Sequence, residues 1–289
     1  MVEAGHAAIV EMRIVSLGDL ALDVVVETEG DRARDADTPA RIGVDAGGQG
    51  ANVAAWAAVL GADACWLGAR GDDAAGRLAA ERLGDRGVEL CGPIVSGPGC
   101  VVVSLSEAGG ARSMFPDRGV ATLLAPDNLR DEWLRCDHLH VSGYALLAEP
   151  VAAAAARAAE LARENGAQVS VDLSSWSTVS QVGVDRFGGL VETLAPNLVF
   201  ANEDEAALLG GVARDAAWVV KRGARGASFA GDERLALPVP RVVDSTGAGD
   251  AFAAGYLVGG PELALEAAAR CVVRLGAMPD DASAATDPA

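Results

Sequence analysis

The residues best suited to chemistry lie in a glycine-rich turn near the C-terminal end of the chain, VDSTGAGDAF at positions 243–252. Small residues let a backbone approach a ligand closely, and a helix is predicted to begin where this turn ends. The N–H groups of Gly247, Ala248 and Gly249 would then face an anion, reinforced by the helix dipole. Asp250, in the first helical turn, would lie beside that anion. A phosphate cradle next to a proton acceptor indicates phosphoryl transfer to an alcohol.

Other interpretations of this turn are weaker. In one, Asp244 and Ser245 only form a turn and Asp250 only caps a helix. In another, the turn binds a dinucleotide, but Phe252 stands where a third glycine is required, and such a turn usually follows the first strand. A P-loop is excluded, because the only lysine, Lys221, is followed by arginine and not by Ser or Thr.

Two further motifs occur upstream. A second glycine turn, GGQGAN at positions 47–52, opens a predicted helix, and an N-x-x-E pattern runs from Asn202 to Glu205. With DSTGAGD at 244–250, these motifs occur in the order typical of ribokinase-like, or PfkB-type, carbohydrate kinases. The sequence resembles this family over residues 12–278. The resemblance implies an α/β fold: a three-layer sandwich with a mostly parallel central sheet and a small β lid.

The resemblance also implies roles for individual residues. Asp250 would be the general base, and the backbone of Gly247 to Gly249 the anion hole. Asp23, five residues after Gly18, matches a carboxylate that grips substrate hydroxyls. The remaining implied positions are Gly48, Gln49 and Asn52 for the substrate; Asn202, Glu205, Lys221, Gly223 and Gly226 for the nucleotide; Glu205 for Mg²⁺, through water; and Asp244 and Thr246 for a monovalent cation such as K⁺.

The chain departs from the family pattern at several positions. Gln49 stands where ribokinases often carry lysine, which predicts an altered sugar contact. The DLSS stretch from Asp172 replaces the more usual D-x-N. Arg118 has two open interpretations: it lines the substrate pocket, where it would meet a phosphate or carboxylate, or it pairs with Asp117 in solvent. The stretch between Leu209 and Trp218 is too short for a full helix.

The elements that must position these residues alternate regularly, which predicts a parallel sheet covered by helices on both faces. Two insertions, near residues 22–45 and 99–116, are assigned to the lid, and residues 279–289 to a loose tail. The principal predictions are strands at 14–18, 64–68, 138–142, 168–173, 198–200 and 218–221, and helices at 51–60, 72–83, 150–164 and 203–209, from Asp250, and at 262–275.

Composition excludes several classes of protein. The chain has 289 residues and a net charge of −18, which argues against nucleic acid and anionic membrane surfaces as partners. No apolar run of about 18 residues and no signal peptide is visible. The five cysteines are scattered without a C-x-x-C pair, which favours reduced thiols and a cytoplasmic location.

The functional hypotheses number three. The leading one is a sugar kinase that uses ATP and Mg²⁺ on a pentose, hexose or keto-sugar and dimerises through its lid. The second is a nucleoside kinase, for which Trp176 is the nearby candidate to stack on a base. The third is a catalytically silent ligand-binding relative. His138 and His140, on one face of a strand, could begin a metal site or line the cleft, but no third ligand follows at suitable spacing.

Overall fold

The structure, a computed structural model, describes residues 12–28, 35–106 and 112–280, so most of the predicted tail lies outside the described residues. Numbered along the chain, the strands are β1 (Arg13–Leu17), β2 (Ala21–Thr28), β3 (Ala40–Gly47), β4 (Asp63–Leu67), β5 (Arg70–Gly71), β6 (Glu89–Cys91), β7 (Ile94–Val95), β8 (Cys100–Ser106), β9 (Arg112–Asp117), β10 (His138–Ser142), β11 (Gln168–Asp172), β12 (Leu198–Asn202), β13 (Ala217–Lys221), β14 (Ala227–Phe229) and β15 (Asp232–Arg234). The α-helices are α1 (Gln49–Val59), α2 (Ala74–Gly84), α3 (Val151–Glu164), α4 (Trp176–Val182), α5 (Val184–Thr193), α6 (Glu203–Leu209) and α7 (Ala248–Val272).

The central sheet has the strand order β15-β14-β13-β12-β11-β10-β1-β4-β6. In that order, the strands from β13 through β1 to β6 pair in parallel. Strands β14 and β15 extend the sheet antiparallel beyond β13. One face packs against α1 and α7 around Ile14 and Phe200, and the other against α3 and α5 around Val15 and Phe187. Helices on both faces of a mostly parallel sheet confirm the predicted three-layer fold class.

A smaller sheet has the order β3-β2-β8-β9. Its strand β2 begins only three residues after β1 ends, so this sheet leaves the core at the carboxyl end of the central strands. Ligands bind at that edge in open parallel sheets. Because β2 follows β1 so closely, Asp23 near the start of β2 lies toward the same edge as Asn202 and Lys221. Those two residues stand at the carboxyl ends of β12 and β13.

The predicted elements differ from the structure in several places. Helix α2 begins at Ala74 and not at Asp72, because the Asp73 carboxylate caps it by accepting from the Gly76 N–H at 2.8 Å. The pattern missed the helices α4 and α5, the central-sheet strands β6, β14 and β15, and the two short strands β5 and β7. It correctly predicted the shortened α6 and the break within α7, which falls at Gly259–Gly260 just before Pro261. None of the helices in the described residues has the length and apolar character needed to cross a bilayer.

Candidate active site

The two glycine turns, far apart in sequence, meet at the carboxyl edge of the sheet. Each opens a helix: Gly48, with φ of 90°, precedes α1, and Gly247, with φ of 73°, precedes α7. Asn52 Nδ2 in the first turn of α1 donates to Asp250 Oδ2 in the first turn of α7 at 2.7 Å, across 198 positions of sequence. The fold thus brings the predicted base and a predicted substrate residue into direct contact.

The turn before α7 forms an anion-binding arrangement. The first N–H groups of a helix have no intrahelical acceptor and carry partial positive charge. The Ala248 N–H donates to the Ser245 carbonyl at 3.3 Å, so of the predicted anion hole, Gly247 to Gly249, the middle donor is already engaged; the N–H groups of Gly247 and Gly249 have no hydrogen-bond acceptor among the described residues. A Cβ on Gly249 would lie 3.2 Å from Lys221 Nζ, which places an ammonium group beside the same turn.

Asp250 is 9% exposed, and burial raises the pKa of its carboxyl group from an ordinary 3.8 to about 7. The charge of Asp172 also raises this pKa, whereas hydrogen bonds from Asn52 and Gln49 and the charge of Lys221 lower it. A general base works best when its pKa lies near the working pH. The site therefore contains a carboxyl group suited to taking a proton from an alcohol at neutral pH.

Lys221 is held by Asp172, whose Oδ2 lies 2.5 Å from Nζ. Burial alone would lower the pKa of the ammonium group, but the Asp172 charge and hydrogen bond more than offset it and raise that pKa. The two residues occupy the carboxyl ends of β13 and β11. A fixed, permanently charged ammonium beside the Gly249 turn can stabilise negative charge that develops on a phosphoryl group.

The N-x-x-E motif forms a reciprocal cap at the start of α6. The Asn202 side chain accepts from the Glu205 N–H at 2.9 Å, and Glu205 Oε2 accepts from the Asn202 N–H at 2.9 Å. Asn202 Nδ2 also donates to Glu205 Oε1 at 2.8 Å. Burial raises the pKa of Glu205, and both of its carboxylate oxygens are engaged by Asn202.

Arg118 does not pair with Asp117, which was one of the two arrangements expected from sequence. Its guanidinium binds both oxygens of the Asp19 carboxylate, at 2.7 and 2.8 Å, and Asp117 instead accepts from the Gly119 N–H. Burial would lower the pKa of Arg118, but the Asp19 pair raises it. This ion pair joins the end of β9 to the loop between β1 and β2, close in sequence to Asp23.

Asp244 organises the turn that the sequence assigns to a monovalent cation. Its Oδ1 accepts from the Thr246 N–H and hydroxyl at 2.9 and 2.6 Å, and its Oδ2 accepts from the Gly276 N–H at 3.0 Å. These bonds attach the turn to the segment that follows α7. The role of the backbone oxygens of Asp244 and Thr246 toward a cation stays a prediction.

A cavity of about 580 Å³ adjoins this turn and extends between β13 and α7. Its size suits a nucleoside, and its walls are mainly apolar. Gly226, with φ of 94°, packs so closely on the Arg234 carbonyl that a Cβ there would collide with it. Three of the five predicted nucleotide residues, Lys221, Gly223 and Gly226, line the cavity. Ser245, Gly249 and Phe252, which were not predicted to bind the nucleotide, line it as well.

The family pattern described as pfkB family carbohydrate kinase matches residues 12–279 of the chain. The chain belongs to this family. It is 32% identical over 282 residues to an ATP-dependent ribose-1-phosphate kinase of Halopiger xanaduensis, with 90% of each chain covered. It is also 32% identical over 270 residues to fructokinase-1 of Oryza sativa, covering 84% of this chain and 81% of that one.

Solved structures agree with the fold. Adenosine kinase from Sinorhizobium meliloti superposes with a TM-score of 0.82 at 24% identity, covering 95% of this chain and 98% of that one. The resemblance noted from the three motifs is therefore confirmed, and the protein is a carbohydrate kinase of the pfkB family. Since the two curated relatives act on different sugars, the family alone leaves the acceptor open.

Sequence reasoning missed several residues at this pfkB-type site. Asp19 went unassigned, and so did Ser142, the last residue of the central strand β10, and Tyr144, two residues beyond it. Asp172 was singled out only as a departure from the family pattern. One signal could have found Ser142 and Asp172: both end buried parallel strands, and their Cα atoms are paired in the β10–β11 register.

The two candidate metal sites have different outcomes. His140 Nδ1 lies 2.8 Å from Ser170 Oγ, its ring packs edge-on against Phe200, and burial lowers its pKa to about 4. Among the described residues, neither His138 nor His140 belongs to a cluster of three or more potential metal ligands. Cys65, Glu89 and Cys91 form such a cluster, with ligand atoms within 4.8 Å of one another, although the cysteines are scattered in sequence.

Proposed function

We propose that this protein transfers the γ-phosphoryl group of Mg·ATP to a hydroxyl of a small, uncharged sugar, with Asp250 as the general base. The observation that carries the proposal is the buried carboxyl group of Asp250. This group lies at the amino end of α7 and accepts a hydrogen bond from Asn52, and its pKa is about 7. A carboxylate beside an anion seat repels phosphate unless it accepts a proton during the reaction.

The roles of the other residues follow from their positions. The base and ribose of ATP would occupy the apolar cavity, with the phosphates directed to Gly249 and Lys221. The acceptor oxygen would attack the γ-phosphorus as its proton passes to Asp250, and the bond to the ADP oxygen would break. Mg²⁺ enters with ATP. Because both Glu205 oxygens already accept hydrogen bonds, contact with the ion through water suits this residue.

The charges on the acceptor side favour an uncharged sugar. Arg118, the cation in this part of the site, is already paired with both oxygens of Asp19. Asp23 and Asp250 add negative charge, which would repel a phosphorylated acceptor. Asn52 Oδ1 is buried and has no hydrogen-bond partner among the described residues, which supports a contact with a substrate hydroxyl.

Pairing of two copies through the small sheet is part of the proposal. Its edge strands β3 and β9 carry exposed apolar side chains: Ile42 is 65% exposed and Phe115 is 56% exposed. Unpaired edge strands with such residues favour association.

The experiment is a panel assay of ADP release with Mg·ATP and free sugars, sugar phosphates or nucleosides. Wild type is compared with Asp250→Asn and with Asp185→Asn, an exposed aspartate in the first turn of α5 that serves as the matched control. We expect turnover on an uncharged sugar, lost by at least about a thousandfold in Asp250→Asn only.

Other results of this panel would redirect the assignment. Turnover on sugar phosphates alone would refute the uncharged acceptor, and turnover on nucleosides alone would support the nucleoside kinase. If ATP binds and no acceptor raises ADP release above background, the catalytic proposal fails and the ligand-binding relative takes its place.

A further inference from the structure

The cluster of Cys65, Glu89 and Cys91 lies at the end of the central sheet that is opposite to β13 in strand order. Cys65 is in the middle of β4, and the other two are the first and last residues of β6, the edge strand. The three ligand atoms lie within 4.8 Å of one another, and the two Sγ atoms are 2.6 Å apart. The walls of the cavity assigned to ATP contain none of these residues. The cluster is therefore separate from the candidate active site.

The register of the two strands places the three side chains on one face of the sheet. Cys65 is paired with Glu89, and Leu67 is paired with Cys91, in parallel. Because side chains alternate between the two faces along a strand, the three ligands point to the same side. Cys65 is 0% exposed and Cys91 is 2% exposed, whereas the side chain of Glu89 is 51% exposed. The cluster thus has two buried sulfur atoms and one side that is open to solvent through the carboxylate.

The charges around the cluster suit a cation. Arg13 Nη2 donates to Glu89 Oε2 at 2.5 Å, which orients the carboxylate and leaves Oε1 for a metal ion. The charge of Arg13 is itself offset by Asp63, whose Oδ2 lies 2.6 Å from Nη1. Two thiolates and one carboxylate would therefore outweigh the charge of a divalent ion in spite of the neighbouring arginine.

The sulfur atoms determine which metals fit. Contact with Cys91 and burial raise the pKa of the Cys65 thiol, so a metal has to displace its proton. Mg²⁺ and Ca²⁺ prefer oxygen ligands, whereas Zn²⁺ binds thiolates readily. Two Zn–S bonds of about 2.3 Å at a tetrahedral angle hold their sulfur atoms about 3.8 Å apart. Widening the present separation of 2.6 Å to that value is feasible, since β6 has a neighbouring strand on one side only.

We infer that Cys65, Glu89 and Cys91 bind one divalent transition-metal ion of the zinc type, which fastens the edge strand β6 to β4. On binding, two metal–sulfur bonds replace two S–H bonds, both protons pass to water, and no electrons are exchanged. Water would fill the fourth position on the exposed side of Glu89. The alternative, a disulfide between the two sulfur atoms, would need an oxidant and would give Glu89 no part. The inference goes beyond the proposed function and does not depend on it.

The first test is a metal titration of the full chain, stripped with a chelator and kept in a reductant that does not bind metals. The probe is Co²⁺, a coloured substitute for Zn²⁺. We expect a sulfur-to-metal charge-transfer band that saturates at a single ion per chain and disappears when Zn²⁺ is added. Cys65→Ser and Cys91→Ser should each abolish the band, and Glu89→Gln should weaken Co²⁺ binding at least about tenfold.

The matched control is Cys136→Ser. Its thiol packs against the same hydrophobic cluster as Cys65 and Cys91 but does not belong to the group of ligands. We expect Cys136→Ser to bind Co²⁺ as wild type does.

The second test is urea unfolding with and without Zn²⁺, because an ion that binds only the folded chain must stabilise it. At a Zn²⁺ concentration about a hundred times the Kd, the equilibrium constant for unfolding should fall about a hundredfold in wild type and in Cys136→Ser. The same concentration should leave Cys65→Ser unchanged. If Cys65→Ser does not fold, Glu89→Gln, altered at an exposed side chain, decides the matter by a smaller stabilisation than that of wild type.

Several results would overturn the inference. They are the absence of the band, a band that survives in both Cys65→Ser and Cys91→Ser, and a band that Cys136→Ser removes. A chain purified without reductant or chelator should contain zinc and, once denatured with a chelator, react as five free thiols. A metal-free chain in which Cys65 and Cys91 are joined would replace the metal site with a disulfide.

Discussion

Replacing Asp250 with asparagine should abolish turnover and at the same time stabilise the fold in a pH-dependent way. Burial raises the pKa of this carboxyl group from 3.8 to about 7, so an unfolded chain ionises it at lower pH than the folded protein does. The stability that the protonated group contributes is fully present below about pH 4 and is lost as the pH rises to about 7. Asparagine does not titrate and escapes this loss.

The size of the effect follows from the same two values. Each unit of pH between them is worth about 1.4 kcal/mol, so the gain in the free energy of unfolding should grow from near zero at pH 4 to about 4 kcal/mol at pH 7 and then remain constant. Asparagine has one acceptor oxygen where the carboxylate has two, so it can accept fewer hydrogen bonds in this site. The plateau is therefore an upper value.

The assay is urea unfolding followed by tryptophan fluorescence at each pH, on wild type, Asp250→Asn and the exposed control Asp185→Asn. A gain in Asp250→Asn that is the same at pH 4 and pH 8 would show that the carboxyl group is not a buried, titrating base. A variant less stable than wild type at pH 8 would refute the reasoning altogether.

Three further predictions concern the surroundings of the base. Lys221→Met should lower the free energy of unfolding in urea by about 3–5 kcal/mol, because it leaves Asp172 buried without its cation. Adding Asp172→Asn should restore this stability but not activity. Full activity in either variant would contradict the proposed role of Lys221. Arg118→Met should raise the acceptor KM about tenfold with the ATP KM unchanged, and the reverse pattern would contradict its assignment to the acceptor side. Phe115→Glu should convert a sedimenting dimer to monomer, whereas an identical sedimentation coefficient in both would refute pairing through the small sheet.

The parts of the site that could be predicted from sequence are those built locally. A glycine turn that opens a helix is readable because the turn and the helix are consecutive, which is why Gly249 and Asp250 were proposed from the residues themselves, whereas Asn52 was implied by the family resemblance. The cap formed by Asn202 and Glu205 is local in the same sense, since its two partners are three residues apart.

The pairs that sequence could not supply depend on strand order and register. Asp172 meets Lys221 only because β11 and β13 both flank β12, and Arg118 meets Asp19 across 99 positions. Cys65 and Cys91 lie in contact because β4 and β6 are neighbours, although their spacing in sequence resembles no motif. No propensity of a single segment contains that information.

Other misses have local causes. Helix α4 spans only seven residues, Trp176–Val182, and α5 begins at Val184 after the single residue Gly183, so no loop separates the two helices in the sequence pattern. Strands β14 and β15 are three residues each, too short for alternation to appear.

The position of Lys221 has a practical consequence for chemical labelling. It is the only lysine of the chain, its side chain is 17% exposed, and the exposed part faces the cavity assigned to ATP. Apart from the amino terminus, this chain therefore offers a reagent for primary amines a single target, and such reagents attack the neutral amine. Because Asp172 holds Lys221 as an ammonium group and raises its pKa, we expect the reagent to modify the amino terminus first. Attachment to a surface or a dye should therefore go through the amino terminus or the half-buried thiol of Cys136.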